Sequence, residues 1–294
     1  MSSEKTKCII TSASNKFFPS LINMLGSMEI NFPQHPDVYV YDLGLFYTLR
    51  KELGSIPWVH VLDIPHFAPH WRACYTWKTY ILNNPLADLN FYMDAGCEVL
   101  RPLDPLFEKI DNNGYIAVSQ GKEVTMKDVT PMSYFKMYEL DEKFKDAEII
   151  AAGLFGFKKD SIATTVTQKL YEAGVKGLCL GYSIKDQWKN KGVNKTDVVP
   201  DCTIFRHDTT MISVILYKYV PNLIIEPIES FSGSLVGKEY GQYLWNYRLN
   251  FSKLKLTNTT LLHKKFSLFA SINRIFIKIF LVLKAINRMI KRLP

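Results

Sequence analysis

Three short apolar runs each end in a carboxylate: DVYVYD at 37–42, WVHVLD at 58–63 and LNFYMD at 89–94. Their aromatic and β-branched residues suit buried strands. A further run, KCIIT at 7–11, opens the series, and SASNKFFPSLINMLGSM follows it with Leu21, Leu25 and Met28 at helical spacing behind turn-forming residues. TLRKEL and CYTWKTYILNN supply helical segments before the third and fourth runs, with Tyr75, Ile81 and Leu82 on one face. Strands separated by helix-length crossovers close into a mainly parallel sheet covered by helices. Carboxylates that end such strands lie along the carboxyl edge, where open α/β sheets bind ligands.

The pattern continues with GYIAVS at 114–119, a polar excursion at 122–148 with short helices, and IIAAGLFGFKK at 149–159. An amphipathic helix is expected from about Ile162 to Ala173, then a loop rich in Gly, Lys and Asn over 174–201. FRHDTTMISVILYKY reads as a helix with His207 and Asp208 at its head and Met211, Val214, Ile215 and Tyr219 on one face. With 294 residues, 47% of them hydrophobic, the chain can bury a substantial core. The sequence shows no internal repeat, no Walker A motif, no GxGxxG after the first strand and no GxSxG elbow.

The net charge of +8 suggests an anionic partner, but its location is uneven. Residues 240–294 hold eleven Lys and Arg and no Asp or Glu, which leaves 25 basic against 28 acidic residues in 1–239, a net −3. A nucleic-acid enzyme would line its groove with cations and stacking aromatics, and 1–239 has no such stripe. Nucleic acid is therefore not an expected partner. Within 266–294, Ile272, Ile275, Ile279, Val282, Ile286, Met289 and Leu293 recur at spacings of three and four between basic residues. The uncharged stretch Ile279–Leu283 is far short of the ~20 apolar residues of a membrane span. A basic amphipathic helix of this kind either lies on an anionic leaflet or packs on the domain.

Cysteines at 8, 74, 97, 179 and 202 show no CxxC spacing, so neither a disulfide framework nor a zinc site is expected. The N-terminus lacks the apolar stretch of a signal peptide, and a cytoplasmic protein is the expectation, peripheral at the cytoplasmic face of a membrane.

The order of five motifs resembles glycosyltransferases of the GT-A fold, closest to bacterial enzymes akin to family 8. These are a first strand ending Thr11-Ser12-Ala13, a second ending VYVYDLG, a Trp77-Lys78 helix before the Asp94 strand, the segment AAGLFGF and the His207-Asp208 pair. The resemblance covers roughly residues 7–230. It implies a Rossmann-like, mainly parallel sheet, with a catalytic domain at 1–239 and a basic extension at 240–294.

It also implies a nucleotide-sugar donor, a glycan or lipid-linked acceptor, and transfer of a hexose in surface polysaccharide synthesis. The alternative is a nucleotide-sugar-binding or membrane-docking protein that has lost catalysis. Thr11, Ser12, Ala13 and Asp42 would meet the nucleotide, Lys78 the donor phosphates or sugar, and Asp94 and Gly96 the nucleotide sugar, with Gly96 permitting its close approach to the backbone. Ala151, Ala152, Gly153 and His207 would meet the approaching acceptor or the sugar. The family's Asp-x-Asp holds Mn2+ or Mg2+ against the diphosphate, whereas this chain reads Asp94-Ala95-Gly96. Three readings stay open: Glu98 or Asp104 supplies the missing ligand, His207 or Asp208 joins Asp94 on the metal, or cations such as Lys78 and Arg72 replace it. On residues alone, Asp94 is equally a turn former with Gly96 as its left-handed partner. Asp208 is either the carboxylate at the reacting centre or the cap of its own helix.

Overall fold

The computed structural model describes residues 5–181, 202, 204–232 and 241–246. The strands are β1 (Lys7–Ala13), β2 (Val38–Asp42), β3 (Val59–Leu62), β4 (Leu89–Met93), β5 (Cys97–Val99), β6 (Tyr115–Ser119), β7 (Ile150–Lys158), β8 (Ile225–Glu226) and β9 (Leu244–Asn246). The helices are α1 (Phe18–Asn31), α2 (Tyr47–Leu53), α3 (Trp77–Leu82), α4 (Asp104–Asn113), α5 (Met126–Val129), α6 (Met132–Met137), α7 (Ile162–Val175), α8 (Asp208–Tyr219) and α9 (Ile228–Ser232). Within these residues the expected strands and helices are present, except that Tyr75 lies outside α3 and exposed rather than on one face with the buried Ile81 and Leu82. The mixed, mainly parallel sheet flanked by helices is the observed architecture.

Seven strands form one sheet in the order β3-β2-β1-β4-β7-β6-β8. β1 to β4 run parallel, with Ala13 opposite Asp42 and Ile10 opposite Tyr92. β7 runs antiparallel between β4 and β6. The 122–148 excursion returns the chain to the edge where β6 ends, with Ser119 opposite Ile150, so this strand needs no crossover helix.

Residues alternate between two packed layers because successive strand side chains point to opposite faces. Ile9, Ala13, Val40, Phe91 and Met93 meet α1, α2 and α4 on one face. Ile10, Tyr41, Tyr92, Phe155 and Phe157 meet α3, α7 and α8 on the other. The excursion adds a smaller cluster, where Met126, Val129 and Phe135 close on Val214 of α8. α4 packs Leu106, Phe107 and Ile110 inward. It stops at Gly114, whose φ of 82° puts it in the left-handed region and whose N–H returns to the Ile110 carbonyl at 2.9 Å.

β9 pairs antiparallel with β5, setting Leu244 opposite Val99, and Leu244 is fully buried in the core. The folded body therefore continues past the 239/240 boundary drawn from charge, at least to Asn246. Among the described residues no helix is long and apolar enough to cross a membrane. The basic helix expected at 266–294 and most of the expected loop, 182–201, lie outside the described residues.

Candidate active site

At the carboxyl end of β4 the backbone turns sharply. The Asp94 N–H donates to the Gly153 carbonyl of β7 at 2.9 Å, and the Asp94 carbonyl accepts from the Cys97 N–H at 3.0 Å. Gly96 is not among the residues with a positive φ. The turn does not need its left-handed freedom, so the structural reading of Gly96 as a left-handed partner is not what the chain uses. The Asp94 side chain faces the α3, α7 and α8 layer with Tyr92, whose hydroxyl donates to Asp94 Oδ1 at 2.9 Å. Ser12 lies on the same face, its Oγ 3.3 Å from the Tyr92 hydroxyl.

Lys78 reaches this cluster from α3. The segment before that helix is held unusually, with Cys74 and Tyr75 both at positive φ, 50° and 60°. Left-handed non-glycine pairs cost energy that the surroundings must offset. Here they aim a short helix so that Lys78 points under the strand ends. Its ammonium lies 3.0 Å from Asp94 Oδ1 and 2.7 Å from Asp208 Oδ2, and it donates to the Ala152 carbonyl at 3.3 Å. The lysine side chain is 4% exposed, against 16% for Asp94 and 11% for Asp208. The carboxylates thus open toward solvent while their counterion is sealed beneath them, between the Tyr75 and Tyr92 rings at 5.4 and 5.6 Å.

Asp208 is the first residue of α8, where a carboxylate is favoured by the helix dipole. It does not cap the helix through its side chain: the preceding position, His207, makes no side-chain cap bond, and the Asp208 carboxylate goes to Lys78. His207 sits at φ 53°, ψ −111°, a strained conformation for a residue with a Cβ. Its Nδ1 lies 2.9 Å from the Cys179 carbonyl, and its ring meets Phe205 edge-on at 5.3 Å. A carbonyl only accepts, so Nδ1 carries the proton. Burial lowers the His207 pKa, opposed by the Cys179 bond and the Asp208 charge. The neutral ring then leaves Nε2 as an acceptor. Burial pushes the Cys74 thiol up to about 11 and the Cys97 thiol to about 12, so neither serves as a nucleophile near neutrality.

The structure thus brings together Asp94, Lys78, Asp208, Ser12 and Ala152, with Gly153 beneath Asp94 and His207 adjoining Asp208. Thr11 and Ala13 alternate with Ser12 and face the other layer, where Ala13 is part of the core. Asp42 uses its carboxylate within the chain: Oδ1 accepts from Gly44 and Leu45 N–H groups, both at 2.7 Å, and Oδ2 from Arg50 at 2.9 Å. Tyr92 is the member that sequence reading missed. Its signal is its position two residues before Asp94, which puts both side chains on one face of the strand.

Among the described residues the donor set does not fit a divalent cation, which the resemblance implies. The position between Asp94 and Asp208 is filled by the Lys78 ammonium. Glu98 alternates with the buried Cys97 and Val99 on β5, Asp104 pairs with Lys7 at 3.2 Å, and Arg72 lies exposed over the Trp71 ring at 4.6 Å. Among the described residues no three His, Cys, Asp or Glu side chains converge as ligands.

No family model matches the sequence, and no curated protein matches it. Solved structures do resemble it. The galactosyltransferase LgtC, solved in complex with donor and acceptor sugar analogues, is similar over 90% of this chain and 95% of its own, with a TM-score of 0.50 at 12% identity. The apo structure of the bifunctional glycosyltransferase WbbM has a TM-score of 0.49 at 12% identity over 84% of this chain, which spans 46% of the WbbM chain. The similarity to LgtC gives the fold: the chain has the mixed, mainly parallel α/β sheet of the GT-A glycosyltransferases.

Proposed function

We propose that this chain is a glycosyltransferase that moves a hexose from a nucleotide diphosphate sugar, a UDP-sugar in the first instance, to a glycan or lipid-linked acceptor of a surface polysaccharide. One observation carries the reading. Asp94 and Asp208, far apart in sequence, converge on one buried lysine at the carboxyl edge of the sheet, where open α/β folds bind ligands. The fold is also one in which LgtC was solved with donor and acceptor sugar analogues.

Each group then has a chemical part. Lys78 holds the two carboxylates in fixed orientations, and their remaining lone pairs accept hydrogen bonds from sugar hydroxyls. Preorganised acceptors of this kind position the donor sugar before the bond to the diphosphate breaks. The acceptor hydroxyl oxygen bonds to the anomeric carbon as the nucleotide departs. Asp208, with one oxygen on Lys78, offers the other to the hydroxyl proton. The small residues Ala152 and Gly153 leave room for the acceptor beside Asp94. On the same reading, the basic segment 266–294 holds the protein against an anionic leaflet at the cytoplasmic face of a membrane.

The test is a thermal-shift panel of UDP-, GDP-, CMP- and dTDP-sugars on wild type and Asp94→Asn. A ligand at 100 times its dissociation constant adds about 2.7 kcal/mol of stability. Stabilisation by one nucleotide class, lost in Asp94→Asn, supports the reading. No stabilisation by any donor contradicts it.

A further inference from the structure

We infer that the Lys78 ammonium is the resident cation of this centre, held where a divalent metal would need to sit, so that the site engages its ligand without a metal. The inference rests on the reading of Asp94 and Asp208 as a donor site.

Three observations lead there. First, the ammonium has three protons, and three oxygens surround it: Asp94 Oδ1 at 3.0 Å, Asp208 Oδ2 at 2.7 Å and the Ala152 carbonyl at 3.3 Å. These contacts come from β4, α8 and β7, so the lysine is fixed by three separate elements rather than lying loosely in a cleft. Second, it is sealed. Only 4% of its side chain is exposed, and the Tyr75 and Tyr92 rings lie at 5.4 and 5.6 Å from the ammonium. A dication between the same carboxylates would lie within a few ångströms of it, and like charges at that range repel strongly in a partly buried site.

Third, among the described residues no three His, Cys, Asp or Glu side chains converge as ligands, even with His207 beside Asp208. The third position of the motif is Gly96, Asp104 is paired with Lys7, and Glu98 alternates with buried residues on β5. The cluster carries one positive and two negative charges, so the pair is already partly neutralised. Its outward lone pairs suit uncharged hydroxyls. Lys78, expected to reach the donor phosphates or sugar, places its ammonium against the two carboxylates. The centre thus binds the sugar portion of its ligand through carboxylate–hydroxyl bonds.

The test uses the full chain and two readouts. Mn2+ is titrated into wild type and Asp94→Asn while the free-ion signal is followed by electron paramagnetic resonance. Affinity for the nucleotide sugar is measured by calorimetry in EDTA and in Mn2+. The expected result is a free-Mn2+ signal that tracks the buffer control for both proteins, and affinities that agree within about twofold. Stoichiometric Mn2+ uptake by wild type that Asp94→Asn removes would overturn the inference, as would an affinity about tenfold or more weaker in EDTA. If no nucleotide sugar binds under either condition, the donor-site reading fails while the Mn2+ titration still decides the inference.

Discussion

The Lys78 ammonium lies 2.7 Å from Asp208 Oδ2, and this contact joins a helix that enters the sheet before β4 to one that begins more than a hundred residues later. With Asp94 at 3.0 Å on the other side, it makes one buried cation the common anchor of β4, α3 and α8. The same contact carries stability and the candidate chemistry, so the two can be separated only by substitutions that change one at a time.

Lys78→Met removes the cation and leaves two carboxylates facing each other in a largely buried site. Breaking a buried pair from one side costs about 3–5 kcal/mol. The melting temperature of Lys78→Met is expected to fall on the order of 10 °C. Adding Asp94→Asn to that variant should restore part of the loss, because it removes one of the stranded charges. Unchanged melting in Lys78→Met would mean that the lysine anchors nothing.

Tyr92→Phe deletes the hydroxyl that donates to Asp94 Oδ1 at 2.9 Å. A hydrogen bond to a charged group contributes about 1.5–3 kcal/mol. A lower urea midpoint with an unchanged slope is expected, together with weaker nucleotide-sugar binding as Asp94 loses one of its orienting contacts. Wild-type affinity in this variant would show that the hydroxyl does not set the carboxylate.

Gly174→Ala tests how α7 positions α3. A Cβ added at Gly174 would come within 2.9 Å of Thr79 Cβ and Cγ2, closer than packed carbons tolerate. Overpacking of this kind costs about 1–3 kcal/mol. Thr79 follows Lys78, so the shift should also weaken donor binding. Combining Gly174→Ala with Thr79→Ala should cost less than the two changes taken separately, and additive losses in a double-mutant cycle would count against the contact.

His207 makes stability depend on pH with a defined sign. Burial lowers its pKa below the usual value near 6.5, so the folded state favours the neutral ring and the unfolded chain takes up a proton first. The contribution is full above about pH 6.5 and is lost as pH falls below it toward the folded value. Urea midpoints of wild type and His207→Gln, measured from pH 8 down to about pH 5, should therefore converge on acidification. A constant gap across that range would show that the ring does not titrate as its surroundings dictate.

Much of this arrangement is legible in the sequence. The runs ending at Asp42 and Asp94 announce strands because aromatic and β-branched residues cluster there, and Met211, Val214 and Ile215 mark α8 by their spacing. α4 is equally marked by Leu106, Phe107 and Ile110 behind Pro105, although the sequence reading assigns no helix to 104–113. Other features have no local signal. β5 and β9 are three residues each and pair across well over a hundred positions, so neither has enough period to be recognised. The antiparallel course of β7 follows from the route of the excursion and not from its own residues. Of the site, Asp94, Lys78, Ser12 and Asp208 are nameable from motif order. Their mutual contacts are not, because they depend on the left-handed backbone at Cys74 and Tyr75, two residues with no sequence preference for it.

The central claim is that Asp94, Lys78 and Asp208 form the centre of a glycosyltransferase. It is tested most directly by turnover: release of free nucleotide from each of UDP-, GDP-, CMP- and dTDP-sugars, with glycan and lipid extracts as acceptors, by wild type and Asp208→Asn at a temperature where both are folded. The account predicts release from one nucleotide class, reduced about 100-fold or more in Asp208→Asn. Release that is undiminished in that variant, or a donor that binds wild type and is never turned over, would contradict it.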